Sequence, residues 1–196
     1  MPRKPLTDID IERFRVNFCE AAYALYQQQD YHAVTMRGIA KVLGCSPMMA
    51  YRYFENKEHV FAALRATRFD SLAQTLEAVP AARSPLQYLR NPGKAYAGFA
   101  LDQPHAYRLL YMIPMQTLIT YPEVVRAQLR TQNVLFDATR QAVTSGALKG
   151  DPIVLAHTLW ASIHGLISLN LSNQLNQGPS FETLFTAMQD YALAGK

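Results

Sequence analysis

Apolar side chains recur every three or four positions along most of the chain, which places them on one face of an α-helix. The first stripe runs through Ile11, Phe14, Phe18 and Leu25 and predicts a helix of about five turns, capped by Thr7 or Asp8. No long run alternates apolar and polar residues as a half-buried strand does. The pattern therefore predicts an all-α protein of about nine helices.

Two short helices follow the first. Thr35 is placed to cap the second helix, and Gly44 ends it because glycine accepts the left-handed backbone of a helix C-terminus. Ser46 is placed to cap the third, which has Pro47 at its first position and is predicted to run to about Phe54. The chain therefore opens with three helices, two of them short and joined by a tight turn.

A change of composition near residue 80 predicts a joint between two lobes. Asn56 can cap a long fourth helix, and the segment from Pro80 to Pro85 then carries three prolines or serines that interrupt the helical pattern. We therefore predict a small three-helix domain over residues 1–57, a connecting helix over about 57–79, and a larger helical domain over 80–196.

The remaining helices are bounded by proline and glycine. The fifth, from Pro85, is predicted to be interrupted or kinked at Asn91-Pro92-Gly93. The others are predicted from Pro104 to Pro114, from Pro122 to near Gly146, from the Asp151 cap onward, and from Gly178-Pro179 to near Ala194.

Composition narrows the class of protein. With 49% hydrophobic and 17% charged residues in 196, the chain has enough apolar groups to fold. Cys19 and Cys45 are too few for a disulfide scaffold, and no cysteine or histidine cluster has zinc spacing, so we expect no metal and no cofactor. Acidic residues stand where a signal peptide would have its apolar stretch, which favours a cytoplasmic protein.

Charge points to one segment more than to the whole chain. The net charge is +4, which permits an anionic partner without requiring one. Between residues 31 and 57, however, Glu55 is the only acidic residue. The basic residues there are Arg37, Lys41, Arg52 and Lys57. The local excess of positive charge coincides with the two short helices.

Those two helices have the pattern of a helix-turn-helix. The helices cross at a steep angle with their backbones close together, so Ala40 must be small, and Gly44 four residues later allows the turn. The second helix of such a pair can lie in the DNA major groove with its first residues at the base edges.

The residues around this turn resemble the N-terminal domain of TetR-family transcriptional regulators. The resemblance is carried by Val34-Thr-Met-Arg-Gly-Ile-Ala-Lys-Val-Leu-Gly-Cys-Ser46 and by Tyr51-Arg-Tyr-Phe-Glu-Asn-Lys-Glu58. It implies a DNA site whose residues hold the phosphate backbone or read bases. These residues are Thr35, Arg37, Ser46, Pro47, Met48, Met49, Tyr51, Arg52, Tyr53 and Lys57.

Two methionines at the tip of the third helix depart from the small or polar residues common in the family, and Ala50 is smaller than the usual leucine. They invite the hypothesis of apolar contact with thymine methyl groups. Each assignment has a plainer alternative. Thr35 and Ser46 are helix caps first, Tyr51 could pack against the first helix, and Lys57 could be a solvated charge.

The eighth predicted helix is apolar on two sides. Residues 152–181 contain no Asp, Glu, Lys or Arg, a length that could cross a membrane, but two histidines and several small polar residues are distributed around the helix. We therefore expect it to lie between its own lobe and a second copy of the chain. The expected dimer contacts are Leu155, Leu159, Ser162, Leu166, Leu169, Asn173, Leu184, Met188 and Tyr191.

The string Trp160-Ala-Ser-Ile-His164-Gly165 also resembles the Trp-His-Gly signature of one ligand-binding domain type within the TetR family, as does Pro104-His-Ala-Tyr-Arg-Leu-Leu-Tyr111. The resemblance implies a pocket for an apolar or aromatic effector. Its expected lining is Tyr96, Phe99, Tyr107, Tyr111, Met112, Met115, Phe136, Trp160 and His164. The alternative is that these side chains form plain core, with His164 a satisfied buried histidine.

The function implied by the resemblance is a ligand-gated repressor. A homodimer would place two recognition helices in successive major grooves of a near-palindrome, about 34–36 Å apart. An effector in the second lobe would move helix four and weaken operator binding. The alternatives are an accessory or architectural DNA-binding protein without an effector, or an activator. We expect no enzyme, because the sequence has no GxSxG, HExxH or phosphate-binding glycine loop.

Overall fold

The structure, a computed structural model, describes residues 7–80, 82–113 and 121–194. Every regular element in those ranges is a helix, which confirms the all-α prediction. The helices are α1 (Asp8–Gln28), α2 (Met36–Leu43), α3 (Pro47–Ala50), α4 (Lys57–Glu77), α5 (Pro85–Asp102), α6 (Pro104–Tyr111), α7 (Pro122–Thr144), α8 (Pro152–Leu171) and α9 (Phe181–Leu193), with a 3₁₀ turn at Tyr31–Ala33.

The predicted helix caps are present. Thr7 and Asp10 form a reciprocal capping box at the start of α1, in which the Thr7 amide donates to the Asp10 carboxylate at 3.1 Å. The Asp151 carboxylate accepts from two backbone amides of α8, at 2.8 and 2.9 Å. Asn56 accepts from the His59 amide at 2.8 Å and so begins α4. These side chains satisfy amides that a helix start leaves unpaired.

Packing divides the chain into two compact units. The first contains the described residues up to Arg68 and those between Leu109 and Arg126, and the second contains the rest. The domain bounds predicted from the sequence, with a joint near residue 80, stay a prediction. The division falls inside α4, because its first turns pack with α1 while the proline-containing loop after it belongs to the second unit. Helices α4 and α6 each contribute residues to both units.

The core of the first unit is aromatic. The rings of Phe18 and Phe54 stack with centroids 5.4 Å apart, and Tyr31 meets the face of Phe61 edge-on at 4.7 Å. Such pairs add stability beyond the apolar area that they bury. They fix α1 and α4 around the two short helices between them, so the helix-turn-helix rests on a packed support.

The second unit is built on α5, α7, α8 and α9, and α5 corrects one prediction. The helix is continuous through Pro92, so the predicted interruption at Asn91-Pro92-Gly93 is wrong, while the alternative of a kink there stays a prediction. A Cβ atom at Gly93 would lie 3.0 Å from Nε2 of Gln189 and 3.3 Å from Cδ1 of Ile163. The absence of a side chain at Gly93 therefore allows the close approach of α9, and Nε2 of Gln189 donates to the Arg90 carbonyl at 3.1 Å.

Candidate DNA-binding surface and effector site

The turn between α2 and α3 has the geometry of a helix-turn-helix. Gly44 adopts a left-handed backbone with φ of 70°. The Cys45 amide then donates to the Ala40 carbonyl at 2.9 Å, and Ala40 itself is completely buried. Glycine and alanine at these two positions are what the close crossing of the helices requires.

Helix α3 is shorter than predicted. As an α-helix it ends at Ala50, and the amides of Tyr53 and Phe54 then bond back to the Ala50 carbonyl in a tight turn, each at 3.0 Å. The fully buried Ala50 anchors this turn against the core of the unit.

Thr35 and Ser46 are helix caps in the structure. The Thr35 hydroxyl accepts from the Gly38 amide at 3.0 Å, and the Ser46 hydroxyl accepts from the Met49 amide at 3.3 Å. Both side chains are exposed, so each hydroxyl proton can still be donated outward. The cap function predicted for both residues is confirmed, and their contact with phosphate stays a prediction.

The two tyrosines of the Tyr-Arg-Tyr string occupy different environments. Tyr51 is 53% exposed. The ring of Tyr53 instead lies 4.9 Å from that of Phe14 on α1, and the Tyr53 carbonyl accepts from Nη1 of Arg15 at 2.7 Å. It is therefore Tyr53 that packs against the first helix, the alternative weighed for Tyr51, while Tyr51 is open to a partner.

Lys57 makes contacts within the protein. Its Nζ donates to the Tyr31 carbonyl at 3.1 Å and lies 4.2 Å from the centre of the Tyr31 ring. Burial is the main cause that raises the pKa of Tyr31, with the Glu58 charge adding to it. The ammonium group thereby anchors the 3₁₀ turn before α2. This internal role of Lys57 was not predicted from the sequence, which indicated a contact with phosphate. With three protons, it has donors left for a phosphate.

Sequence reasoning missed Arg15. Its guanidinium lies 4.6 Å from the centre of the Phe54 ring in addition to bonding the Tyr53 carbonyl, so it fastens the turn after α3 to α1. No sequence motif distinguishes Arg15 from Arg13, because both stand among charged residues of one helix.

The remaining predicted DNA residues form an exposed surface. Met48 is 77% exposed and Met49 is half-buried. The other exposed members are Arg37, Pro47 and Arg52. Together with Tyr51 they present cationic, hydroxyl and apolar groups on one short stretch of chain, which is the mixture needed to hold phosphates and touch base edges.

In the second unit, four of the predicted pocket residues form a chain of hydrogen bonds. Trp160 Nε1 donates to the Tyr96 hydroxyl at 3.2 Å, the Tyr96 hydroxyl donates to that of Tyr107 at 3.3 Å, and Tyr107 lies 2.5 Å from Nδ1 of His164. The indole nitrogen only donates, each tyrosine hydroxyl can donate or accept, and the role of Nδ1 depends on the tautomer of His164. Burial lowers the pKa of His164, in keeping with a neutral imidazole.

The other predicted pocket residues do not all join this chain. Phe99 is buried, and the ring of Phe136 contacts that of His157 with centroids 5.0 Å apart. Tyr111 and Met112 belong to the first unit, and the hydrogen-bonded chain belongs to the second. Met115 lies outside the described residues.

Helix α8 is buried on one side only. Its length and apolar composition would allow it to cross a membrane. In its most apolar window, 22% of the residues are buried within the chain. Leu159 packs in the core of the second unit and so leaves the predicted dimer surface, since its side chain is already used. The open face instead carries Val154, Thr158, Ala161, Gly165 and Leu169.

The rest of the predicted dimer set spans a range of exposure. Asn173, Leu169 and Tyr191 are exposed, and Tyr191 at 87% is the most exposed large apolar side chain among the residues that the structure describes. The half-buried members are Leu155, Ser162, Leu166, Leu184 and Met188. A groove of about 420 Å³ beside the end of α9 is lined by Ala187, Asp190, Tyr191 and Ala194.

Cysteine and metal chemistry are not prominent in the described part of the chain. Burial raises the pKa of the Cys19 thiol to about 12, so it stays protonated at neutral pH. Among the residues that the structure describes, no group of three or more His, Cys, Asp or Glu side chains is arranged to hold a metal ion.

The fold is similar to that of several solved structures. A TetR family transcription regulator from Marinobacter aquaeolei VT8 is 23% identical, with a TM-score of 0.68 over 90% of this chain and 93% of that one. The fatty acid degradation regulator FadR from Bacillus halodurans is 14% identical, with a TM-score of 0.74 over 97% of each chain. FadR from Bacillus subtilis, solved with stearoyl-CoA, is 16% identical, with a TM-score of 0.75 over 92% and 98%.

Comparison of the sequence with models of protein families shows the family of this chain. No curated protein matches the sequence significantly. Residues 18–64 match the family model described as "Bacterial regulatory proteins, tetR family", which covers the helix-turn-helix. Residues 89–191, more than half of the chain, match the model described as "Tetracyclin repressor-like, C-terminal domain". The chain therefore belongs to the TetR family of bacterial transcriptional regulators, with an N-terminal helix-turn-helix and a larger helical C-terminal domain.

Proposed function

We propose that the protein is a ligand-responsive repressor. In this proposal it works in the cytoplasm, binds a near-palindromic operator as a homodimer, and is released by a small apolar or aromatic effector. The observation that carries the proposal is the surface around α3. Met48 and Tyr51 are exposed on a helix-turn-helix that Ala40 and Gly44 hold in the required crossing.

In the proposed complex, α3 enters the major groove and the neighbouring polar groups hold the phosphates. Arg37 near the start of α2 and Arg52 after α3 are both exposed cations. The Tyr51 hydroxyl supplies a neutral donor beside them. Contacts of this kind set the position of the helix, and the affinity that they add falls with rising salt.

The proposed dimer surface is the open face of α8 together with the end of α9. Thr158, Ala161 and Gly165 are small, so a second helix can approach closely, and a Cβ atom at Gly165 would meet no other atom within 4 Å. The exposed Tyr191 lines the groove beside α9. An apolar face without charged residues, on a helix that is only partly buried, is typical of a surface between subunits.

The proposed effector site is the second unit around the hydrogen-bonded chain from Trp160 to His164. Aromatic rings supply an apolar lining, and the hydroxyl groups of Tyr96 and Tyr107 can orient one polar group of a ligand. The solved FadR with stearoyl-CoA has the same fold at 16% identity, so acyl compounds form one class of candidates beside aromatic ones.

Two neighbouring functions remain as alternatives. An activator would bind the same DNA with the same residues. An accessory DNA-binding protein without an effector would bind DNA in a way that no small molecule disturbs. An effector that weakens operator binding must itself be bound more weakly when operator is present, by the same factor. This reciprocity separates the ligand-gated proposal from the accessory one.

The DNA half of the proposal is tested by selection from random DNA. Purified full-length protein is used to enrich duplexes at stated salt, and sedimentation then gives the number of chains on each duplex. We expect two chains on a near-palindrome whose half-site centres are about 10 base pairs, one helical turn, apart. Absence of any enriched sequence, or a single chain bound to a single half-site, would contradict the proposal.

A further inference from the structure

The tip of α3 offers almost no hydrogen-bonding side chain. From Pro47 to Ala50 the side chains are a pyrrolidine ring, two thioethers and a methyl group. Direct recognition of guanine uses Arg or Lys, and recognition of adenine uses Asn or Gln, none of which stands on this helix. If α3 is the element in the major groove, it must discriminate bases by apolar contact.

Exposure singles out one residue of the four. Ala50 is completely buried and Met49 is half-buried, whereas Met48 is 77% exposed. The methionine side chain is long, unbranched and flexible, so it reaches further from the helix than the ring of Pro47. Met48 is therefore the longest exposed side chain of α3 and the one best able to reach a base edge.

The polar groups around Met48 suit the backbone of DNA better than its bases. Ser46 and Thr35 use their hydroxyl oxygens to cap α3 and α2. Arg37 and Arg52 are exposed cations on either side in sequence, and cations of this kind position a protein on phosphates without reading sequence. The identity of the base is thus left to the thioether.

The major-groove edge of a T·A pair carries one apolar group, the C5-methyl of thymine. We propose that Met48 reads this methyl group in each half-site of the operator. The inference rests on the proposed function, and it adds the chemical class of the recognised base, a 5-methylated pyrimidine. A cytosine at the same position is accepted once it carries a 5-methyl group, because the methyl then projects into the groove at the same place.

The test removes the methyl group and nothing else. In a duplex enriched from random DNA, each thymine is replaced in turn by deoxyuridine, which keeps the base pair. We expect one symmetry-related pair of positions to respond, by about fourfold per half-site and about 15-fold when both are changed. At those positions, 5-methylcytosine should bind about fourfold more tightly than cytosine.

The variant Met48→Ala shows whether the protein contact is the cause. We expect it to bind the thymine and deoxyuridine duplexes with equal affinity, and to melt as the wild type does because the side chain is exposed. Val16 is also an exposed apolar side chain, but it lies on α1. Val16→Ala serves as the control and should keep the preference for thymine.

Two results would overturn the inference while the proposed function stands. One is specific binding that no deoxyuridine substitution weakens. The other is a thymine preference that persists in Met48→Ala, since the methyl would then act through the shape or stiffness of the DNA. Failure to enrich any duplex would instead contradict the proposed function itself.

Discussion

Nε of Arg65, on α4, donates to the carbonyl oxygen of Leu109 in the last turn of α6 at 2.7 Å. Nη2 of the same guanidinium donates to the carbonyls of Leu110 and Ile113, at 2.8 and 2.9 Å. Arg65 is only 2% exposed, and burial lowers its pKa to about 10, so it stays charged at neutral pH. A buried cation thus caps the carbonyl end of α6, where the helix dipole is negative.

Replacing Arg65 should destabilise the first unit. We expect Arg65→Ala to lower the free energy of unfolding by about 3 kcal/mol, because it empties a buried volume and leaves the carbonyls at the end of α6 without donors. Urea titration measures the effect. Arg140→Ala, which breaks an exposed pair with Asp137, is the control and should cost less than about 0.5 kcal/mol. Equal midpoints for the two variants would contradict this account.

The packing of α9 against α5 predicts opposite outcomes for two glycines of one helix. Gly93→Ala should lower the free energy of unfolding by about 1–3 kcal/mol, because its Cβ would crowd Gln189 and Ile163. Gly98→Ala meets no atom within 4 Å and should be neutral or stabilising by up to about 1 kcal/mol. Thermal melting compares them, and a Gly93→Ala variant as stable as Gly98→Ala would show that the contact is loose.

The pKa of His164 predicts how stability changes with pH. Burial lowers this pKa in the folded chain, so the unfolded chain binds the proton more readily and stability falls as the pH drops through the ordinary histidine value of 6.5. Trp160, the single tryptophan, lies with its ring centroid 6.4 Å from that of His164 and so reports the titration by fluorescence.

We expect a fluorescence transition with its midpoint below pH 6.5 in the folded protein. His164→Asn should abolish it while keeping an acceptor for the Tyr107 hydroxyl. A midpoint above 6.5, or a transition that survives in His164→Asn, would contradict a His164 whose pKa is lowered by burial.

The open face of α8 predicts the effect of a charged side chain on assembly. Gly165→Arg should give a monomer by light scattering at micromolar concentration, because the new charge lies on the proposed dimer surface, where an added Cβ atom meets no other atom within 4 Å. Gly98→Arg, also at an open glycine, should leave the dimer intact. A dimeric Gly165→Arg would move the interface away from this face.

The two tyrosines after α3 predict different effects on DNA binding. Tyr51 is 53% exposed, and in the proposed complex its hydroxyl contacts the DNA backbone, so Tyr51→Phe should weaken binding to all sequences alike. Tyr53→Phe should change affinity less, since that ring is packed on Phe14. A loss in Tyr51→Phe confined to one base position, seen in anisotropy titrations of variant duplexes, would contradict the backbone role.

Local chemistry made much of this fold predictable. Thr7, Thr35, Ser46 and Asp151 begin helices because their side chains bond amides two or three residues away, and those partners are fixed by sequence alone. The turn at Gly44 was predictable for the same reason. The helix-turn-helix could therefore be placed, and its family identified, without any long-range information.

Long-range packing was less accessible to the sequence. Leu129 is a large apolar residue of α7, yet it is 51% exposed, while the buried face of the helix includes small residues such as Ala127, Ala138 and Ala142. Small side chains mark a close approach between helices but contribute little to a hydrophobic pattern. The burial of Arg65 was equally hard to predict. An arginine in a helical repeat gives the same sequence pattern whether its side chain is buried or exposed.

The central claim, a repressor released by an apolar effector, is tested most directly by fluorescence anisotropy. A labelled duplex from the DNA flanking the gene is titrated with full-length protein at stated salt, with and without fatty acids, acyl-CoA esters and aromatic compounds. We expect specific binding that one class of compound weakens, and an equal weakening of that compound's affinity by the duplex. Specific binding that no apolar or aromatic compound disturbs would contradict it.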